Sequence, residues 1–172
     1  MFLNYIKDFS VKRILKNNFQ NTRSNEGSGV MKTIGLLVDE SYFLDAKAIV
    51  TSLVAKGILE HNIEVLLYND KIKKNKVDNY PVYYASELNW NATLNSKVAN
   101  EFMDKEFDLL INYYELEKVA LVVVSRHSKA KFTVGFSTVD KRLNDLIIKA
   151  TAEEHLVFIN ETFKYLKILN KI

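Results

Sequence analysis

Short runs of nearly unbroken apolar residues, each followed by a stretch with helical spacing, leave this chain few folds. The runs are KTIGLLVDE (32–40), IEVLLYN (63–69), FDLLINYYE (107–115), KFTVGFS (131–137) and NDLIIKA (144–150). A strand that is apolar throughout is covered on both faces, and strands separated by helices pair in parallel. The expectation is an α/β domain: three layers, Rossmann-like, with a mostly parallel sheet. PVYYA (81–85) adds a short strand whose proline sits where no ladder donor is needed. No internal repeat is visible.

Helices are expected between these runs. Phe43, Ala46, Val50, Leu53 and Val54 recur at helical spacing, with Ser41 as a candidate N-cap and Gly57 at the C-terminal glycine position. Residues 91–105 form a weaker helix around Val98, Ala99, Phe102 and Met103. Val119, Val122 and Val123 suit a helix, although LVVV also suits a strand. Thr151 and Glu154 read as a capping box opening the last helix. Leu156, Phe158, Ile159, Phe163, Tyr165, Leu166 and Leu169 cover a wide arc of that helix. So wide an arc implies burial against the sheet and against a second surface, for which the N-terminal arm is the candidate.

That arm, residues 1–30, is read as a basic helical arm and linker, and residues 31–172 as the Rossmann-like domain. The arm carries Lys7, Lys12, Arg13, Lys16 and Arg23 against Asp8 and Glu26, a net of +3. The whole chain is also +3, so the remainder is neutral apart from the local run KIKKNK at 71–76. Two apolar faces, Phe2/Tyr5/Ile6/Phe9 and Val11/Ile14/Leu15/Phe19, suggest two short helices or one helix touching two surfaces. The polar stretch QNTRSNEGSGV (20–30) is the linker.

Several chemistries are excluded. There is no cysteine, hence no disulfide, thiolate catalysis or cysteine-ligated metal. The chain has five glycines, and neither GxGxxG nor GxxxxGK[ST] occurs. Both motifs need glycine so that backbone amides approach a phosphate. The first strand also runs into DESYF, whose carboxylates repel phosphate. His61, His127 and His155 are scattered, so no metal site is assigned. Arg126-His127-Ser128 does not make a triad, because triad members come from separate elements. No catalytic residue and no cofactor are assigned. No apolar run approaches the ~20 residues of a membrane helix, the start MFLNYIKDFSVKR is not a secretion signal, and the expected location is the cytoplasm.

In a parallel sheet, ligands bind beyond the carboxyl ends of the strands. The candidate ligand residues there are Asp39, Ser41, Asn112, Tyr113, Ser137, Asp140, Arg142, Asn144 and Asp145. The same residue types also make helix caps and turns, which is the plainer reading of Asp39 and Ser41. Candidate phosphate contacts for nucleic acid are Lys7, Lys12, Arg13, Lys16, Arg23, Lys71, Lys73, Lys74 and Lys76, with arm aromatics available to stack on bases. A solvated helix face and a solvated loop are the plainer alternatives.

Two resemblances add to this. NYIKDFSVKRILKN, KTIGLLVDESYF, FDLLINYYE, SKAKFTVGFSTVDKRLND and FKYLKILNKI together resemble a family of uncharacterised bacterial proteins, which implies a real folded unit and no particular activity. FDLLINYYELEKVALVVVSRHSKAKFTVGFS is similar to part of the N-terminal half of heptosyltransferase-type glycosyltransferases. That likeness implies the fold and argues against the activity, since such enzymes hold the sugar nucleotide mainly with a second domain. The expected function is non-catalytic binding of a macromolecule, RNA or a ribonucleoprotein. The alternatives are a nucleotide or sugar-phosphate site and a homodimer built through the first and last helices.

Overall fold

The computed structural model describes residues 31–43, 45–72 and 80–172. Six strands form one sheet: β1 (Ile34–Asp39), β2 (Ile63–Asn69), β3 (Val82–Tyr84), β4 (Leu109–Tyr113), β5 (Thr133–Phe136) and β6 (Leu146–Ile148). Their order is β3-β2-β1-β4-β5-β6, and every neighbouring pair is parallel. Four α-helices accompany them: α1 (Ala46–Ala55), α2 (Lys97–Asp104), α3 (Val119–His127) and α4 (His155–Ile168). This is a Rossmann-like α/β fold in the common dinucleotide-binding strand order.

The two faces follow from the alternation of side chains along each strand. Ile34, Leu36, Val38, Leu109, Ile111, Tyr113, Val134 and Phe136 point to one face, where Ile49, Leu53, Phe158, Ile159 and Leu166 of α1 and α4 cover them. Leu37, Leu66, Leu110 and Tyr114 point to the other, covered by Ala99, Phe102, Leu121, Val123 and Val124 of α2 and α3. Both faces are therefore dry, which is why the strands carry no polar alternation.

Several expectations resolve. The LVVV segment lies inside α3, although β-branched residues disfavour helix slightly. A parallel β4–β5 pair needs a long crossover, and that requirement overrides the local preference. Gly57 ends α1 at φ +94°, in the left-handed region that favours glycine. The cap of α1 is Asp45, whose carboxylate accepts from Ala48 N at 3.0 Å, and Ser41 instead lies in the turn before it. The Thr151–Glu154 pair is also shifted. Glu154 accepts from both Thr151 N and Thr151 Oγ1 at 3.0 Å, which closes a turn, and α4 begins only at His155. The arm, with its expected helices, lies outside the described residues.

A recurrence not visible in the sequence emerges at the starts of the strands. Asp108 Oδ2 accepts from Thr33 N and Thr33 Oγ1, and Asp108 N donates back to Thr33 Oγ1. Asp145 Oδ2 does the same for Thr133 N and Oγ1, and Asp145 N donates back to Thr133 Oγ1. Two residues beyond each threonine is a glycine. A Cβ on Gly35 would stand 2.7 Å from the Phe107 ring, and one on Gly135 would stand 2.4 Å from Asn144 Nδ2. Thr33-Ile-Gly35 against Phe107-Asp108 is thus the same device as Thr133-Val-Gly135 against Asn144-Asp145.

Candidate functional site

The crevice of this topology lies beyond the carboxyl ends of the paired strands β1 and β4, where α1 and α3 leave to opposite faces. No glycine follows β1 there. Ser41 N donates to Asp39 Oδ1, and Phe43 N donates to Asp39 O, so the turn is built by the aspartate itself. Lys118, just before α3, reaches across the crevice. Its Nζ is 2.8 Å from Asp39 Oδ2 and 2.8 Å from Asp70 Oδ2. Tyr68 OH donates to Asp70 Oδ1, and Ser41 Oγ accepts from Asp70 N. Burial alone would raise the Asp70 pKa, but the bonds from Lys118 and Tyr68 outweigh it and hold the carboxyl below its ordinary range. Buried Glu40 accepts from Asn69 Nδ2. The cation best placed to meet a phosphate is therefore held between two carboxylates.

The other sequence candidates divide between this edge and the interior. Tyr113 is buried, stacked edge-on with Phe43, Phe136 and Phe158, and donates its hydroxyl to Ala152 O. Asn112 and Asn144 bond to each other at 2.8 Å inside the α2/α3 layer, and Ser125 Oγ donates to Asn112 Oδ1. Asp140 takes the Arg142 guanidinium, which holds its pKa low, and receives no help from Asn144. Ser137 is exposed after β5. Asp145 lies at the opposite, amino edge of the sheet, in the clasp with Thr133. Asp39, Ser41, Asp140 and Arg142 thus share the carboxyl edge, while Asn112, Tyr113 and Asn144 are internal. Among the described residues no group of three or more His, Asp or Glu side chains could hold a metal ion.

The amino edge is different. Between the end of α1 and the side of α4 lies a hollow of about 810 Å³. Met31, Ile58, Phe163 and Ile172 form its apolar lining, and Lys32, Lys56, Lys164 and Lys167 stand around it. Lys164 is paired with Glu161 at 2.9 Å. The side chains of Lys32, Lys56 and Lys167 have no carboxylate partner among the described residues. Met31 is held by its N–H on Lys171 O at 3.0 Å, so the basic arm joins the body in the wall of this hollow. None of these lysines was singled out as a nucleic-acid contact from sequence. They come from three separate stretches, and only the KYLKILNKI ending hints at the cluster. Of the lysines that were, Lys71 is exposed after β2, while Lys73, Lys74, Lys76 and the arm residues lie outside the described residues.

Fold and edges together describe a Rossmann-like domain without a glycine cradle. The chain matches the family described as a family of unknown function (DUF6913) over residues 7–169, and it belongs to that family. No curated protein and no solved structure matches it, so the comparisons return no heptosyltransferase-type glycosyltransferase. Among the described residues, no helix is long and apolar enough to cross a membrane.

Proposed function

We propose that this protein is a non-catalytic, cytoplasmic binding module for a polyanion, with RNA or a ribonucleoprotein as the partner. The observation that carries the reading is the trio Lys32, Lys56 and Lys167 around one hollow, without a carboxylate partner among the described residues, at the point where a segment of net charge +3 joins the body. Phosphates displace counterions from such a cluster, and this supplies sequence-independent affinity. The crevice at the opposite edge supports the same reading, because its lysine already faces Asp39 and Asp70. The test is binding of the full chain to generic single-stranded RNA at two salt concentrations. Affinity should fall with salt by a log–log slope of roughly 0.7 per phosphate engaged. Absence of binding, or binding indifferent to salt, rejects the reading.

One observation favours a second reading, self-association through the last helix. Leu156, Val157, Tyr165, Ile168 and Leu169 are all exposed, with Ile168 at 65%. Five exposed apolar side chains on one helix are the surface this reading would use. Light scattering that shows a monomer at high concentration removes this reading.

A further inference from the structure

Charge alone does not distinguish a single strand from a duplex, but the shape of the lysine cluster does. The lysines surround a recess with an apolar lining that includes Phe163 and Ile58. Asn62 and Asn160 stand in its wall, and neither carboxamide has a hydrogen-bond partner among the described residues. A free carboxamide offers two donors and an acceptor, the complement of a base edge. At about 810 Å³ the recess lies within the range of pockets that enclose small organic ligands. A duplex keeps its bases stacked inside and cannot fill such a recess, whereas a single strand can splay a base into one.

We infer that the hollow takes an unstacked base of a single-stranded nucleic acid, with the flanking phosphates on Lys32, Lys56 and Lys167. This rests on the polyanion reading above and specifies its ligand. The bland alternative, a solvated recess with lysines around it, predicts binding of any polyanion without regard to strandedness.

The test is fluorescence anisotropy with the full chain at fixed salt, using single-stranded RNA, single-stranded DNA and duplex RNA of equal length. The single strands should bind about tenfold tighter than the duplex, the scale of one accommodated base. Single-stranded RNA and DNA binding alike assigns the contact to the base, and an RNA preference adds a ribose hydroxyl. Either outcome supports the proposal. Asn62→Ala with Asn160→Ala should remove about tenfold from single-strand affinity and leave duplex affinity unchanged. A set of single-stranded RNAs, each with one abasic site and together covering every position, is the control that needs no mutant protein. At least one site should weaken binding by a similar factor. Equal, salt-sensitive binding of single strand and duplex, unmoved by the abasic sites, overturns this inference and leaves the polyanion reading standing. Failure to bind any of the three overturns the polyanion reading itself.

Discussion

Lysines occur at both edges of the sheet and do opposite work there. At the carboxyl edge, Lys118 is 20% exposed and touches two carboxylates, with the ring of Tyr68 5.3 Å away. At the amino edge, Lys32, Lys56 and Lys167 project around a recess with no such partners among the described residues. The comparison teaches that a cation's role is set by the acids folding brings to it. An ammonium between two carboxylates closes a crevice, and three unopposed ones make a surface that attracts anions. At the edge where this topology usually receives a phosphate the lysine is engaged by acids, and at the other edge three lysines have no acidic partner among the described residues.

The strongest way to break this comparison is Lys118→Ala. It leaves the Asp39 carboxylate, 3% exposed, beside Asp70 with no counter-charge among the described residues. Removing one partner of a buried pair costs several kcal/mol. For this partly wet site a loss of about 2–3 kcal/mol is expected, a fall in melting temperature of roughly 8 °C. Adding Asp39→Asn should recover part of it. A loss below about 0.5 kcal/mol would make Lys118 an ordinary surface lysine.

Asp108→Asn sharpens the contrast, because this carboxylate sits at the amino edge and yet is fully engaged. It accepts from Lys32 N, Thr33 N and Thr33 Oγ1 at 3.0 Å and meets Lys131 Nζ at 2.8 Å. Burial raises its pKa, but Lys131 and the N–H groups of Lys32 and Thr33 prevail and hold it well below the usual carboxylate range. A carboxylate lowered on folding stabilises fully above its unfolded pKa of about 3.9 and loses that contribution as pH falls through its folded value. The substitution should cost about 2 kcal/mol near pH 7. The gap between native and variant urea midpoints should narrow near pH 3. A gap equal at both pH values contradicts the assignment.

The smallest effect on stability, and the most telling, belongs to Lys56→Ala with Lys167→Ala. Both side chains are exposed, so unfolding free energy should move by less than about 0.5 kcal/mol. The salt slope of RNA binding should fall by roughly 0.7 for each lysine that contacts a phosphate. A stability loss comparable to that of Lys118→Ala would erase the distinction between the edges.

The layers and the parallel sheet were legible because each strand is apolar on both sides, as IGLLV and DLLIN show. The site was legible only in part. Asp39 was expected in the crevice, but Lys118 gave no signal, since its partners are 79 and 48 residues away in sequence. Asn112 and Asn144 read as pocket residues because amides are usually exposed, whereas here both are buried, with Asn112 Nδ2 donating to Asn144 Oδ1 and Asn144 Nδ2 left without a partner among the described residues. The lysine hollow was hidden for a simpler reason. A lone lysine in a polar turn looks the same whether or not another will fold beside it.

The two threonine–aspartate clasps make β1/β4 and β5/β6 interchangeable parts. Each sets its strand pair at the same offset, Ile34 opposite Leu109 and Val134 opposite Leu146. Transplanting Thr-Val-Gly from 133–135 into 33–35 changes only one methylene, worth about 1 kcal/mol in a tight core. Moving the threonine by a single position would instead send its hydroxyl to the wrong side of the sheet and turn the bare Cα away from the bulky neighbour that needs it.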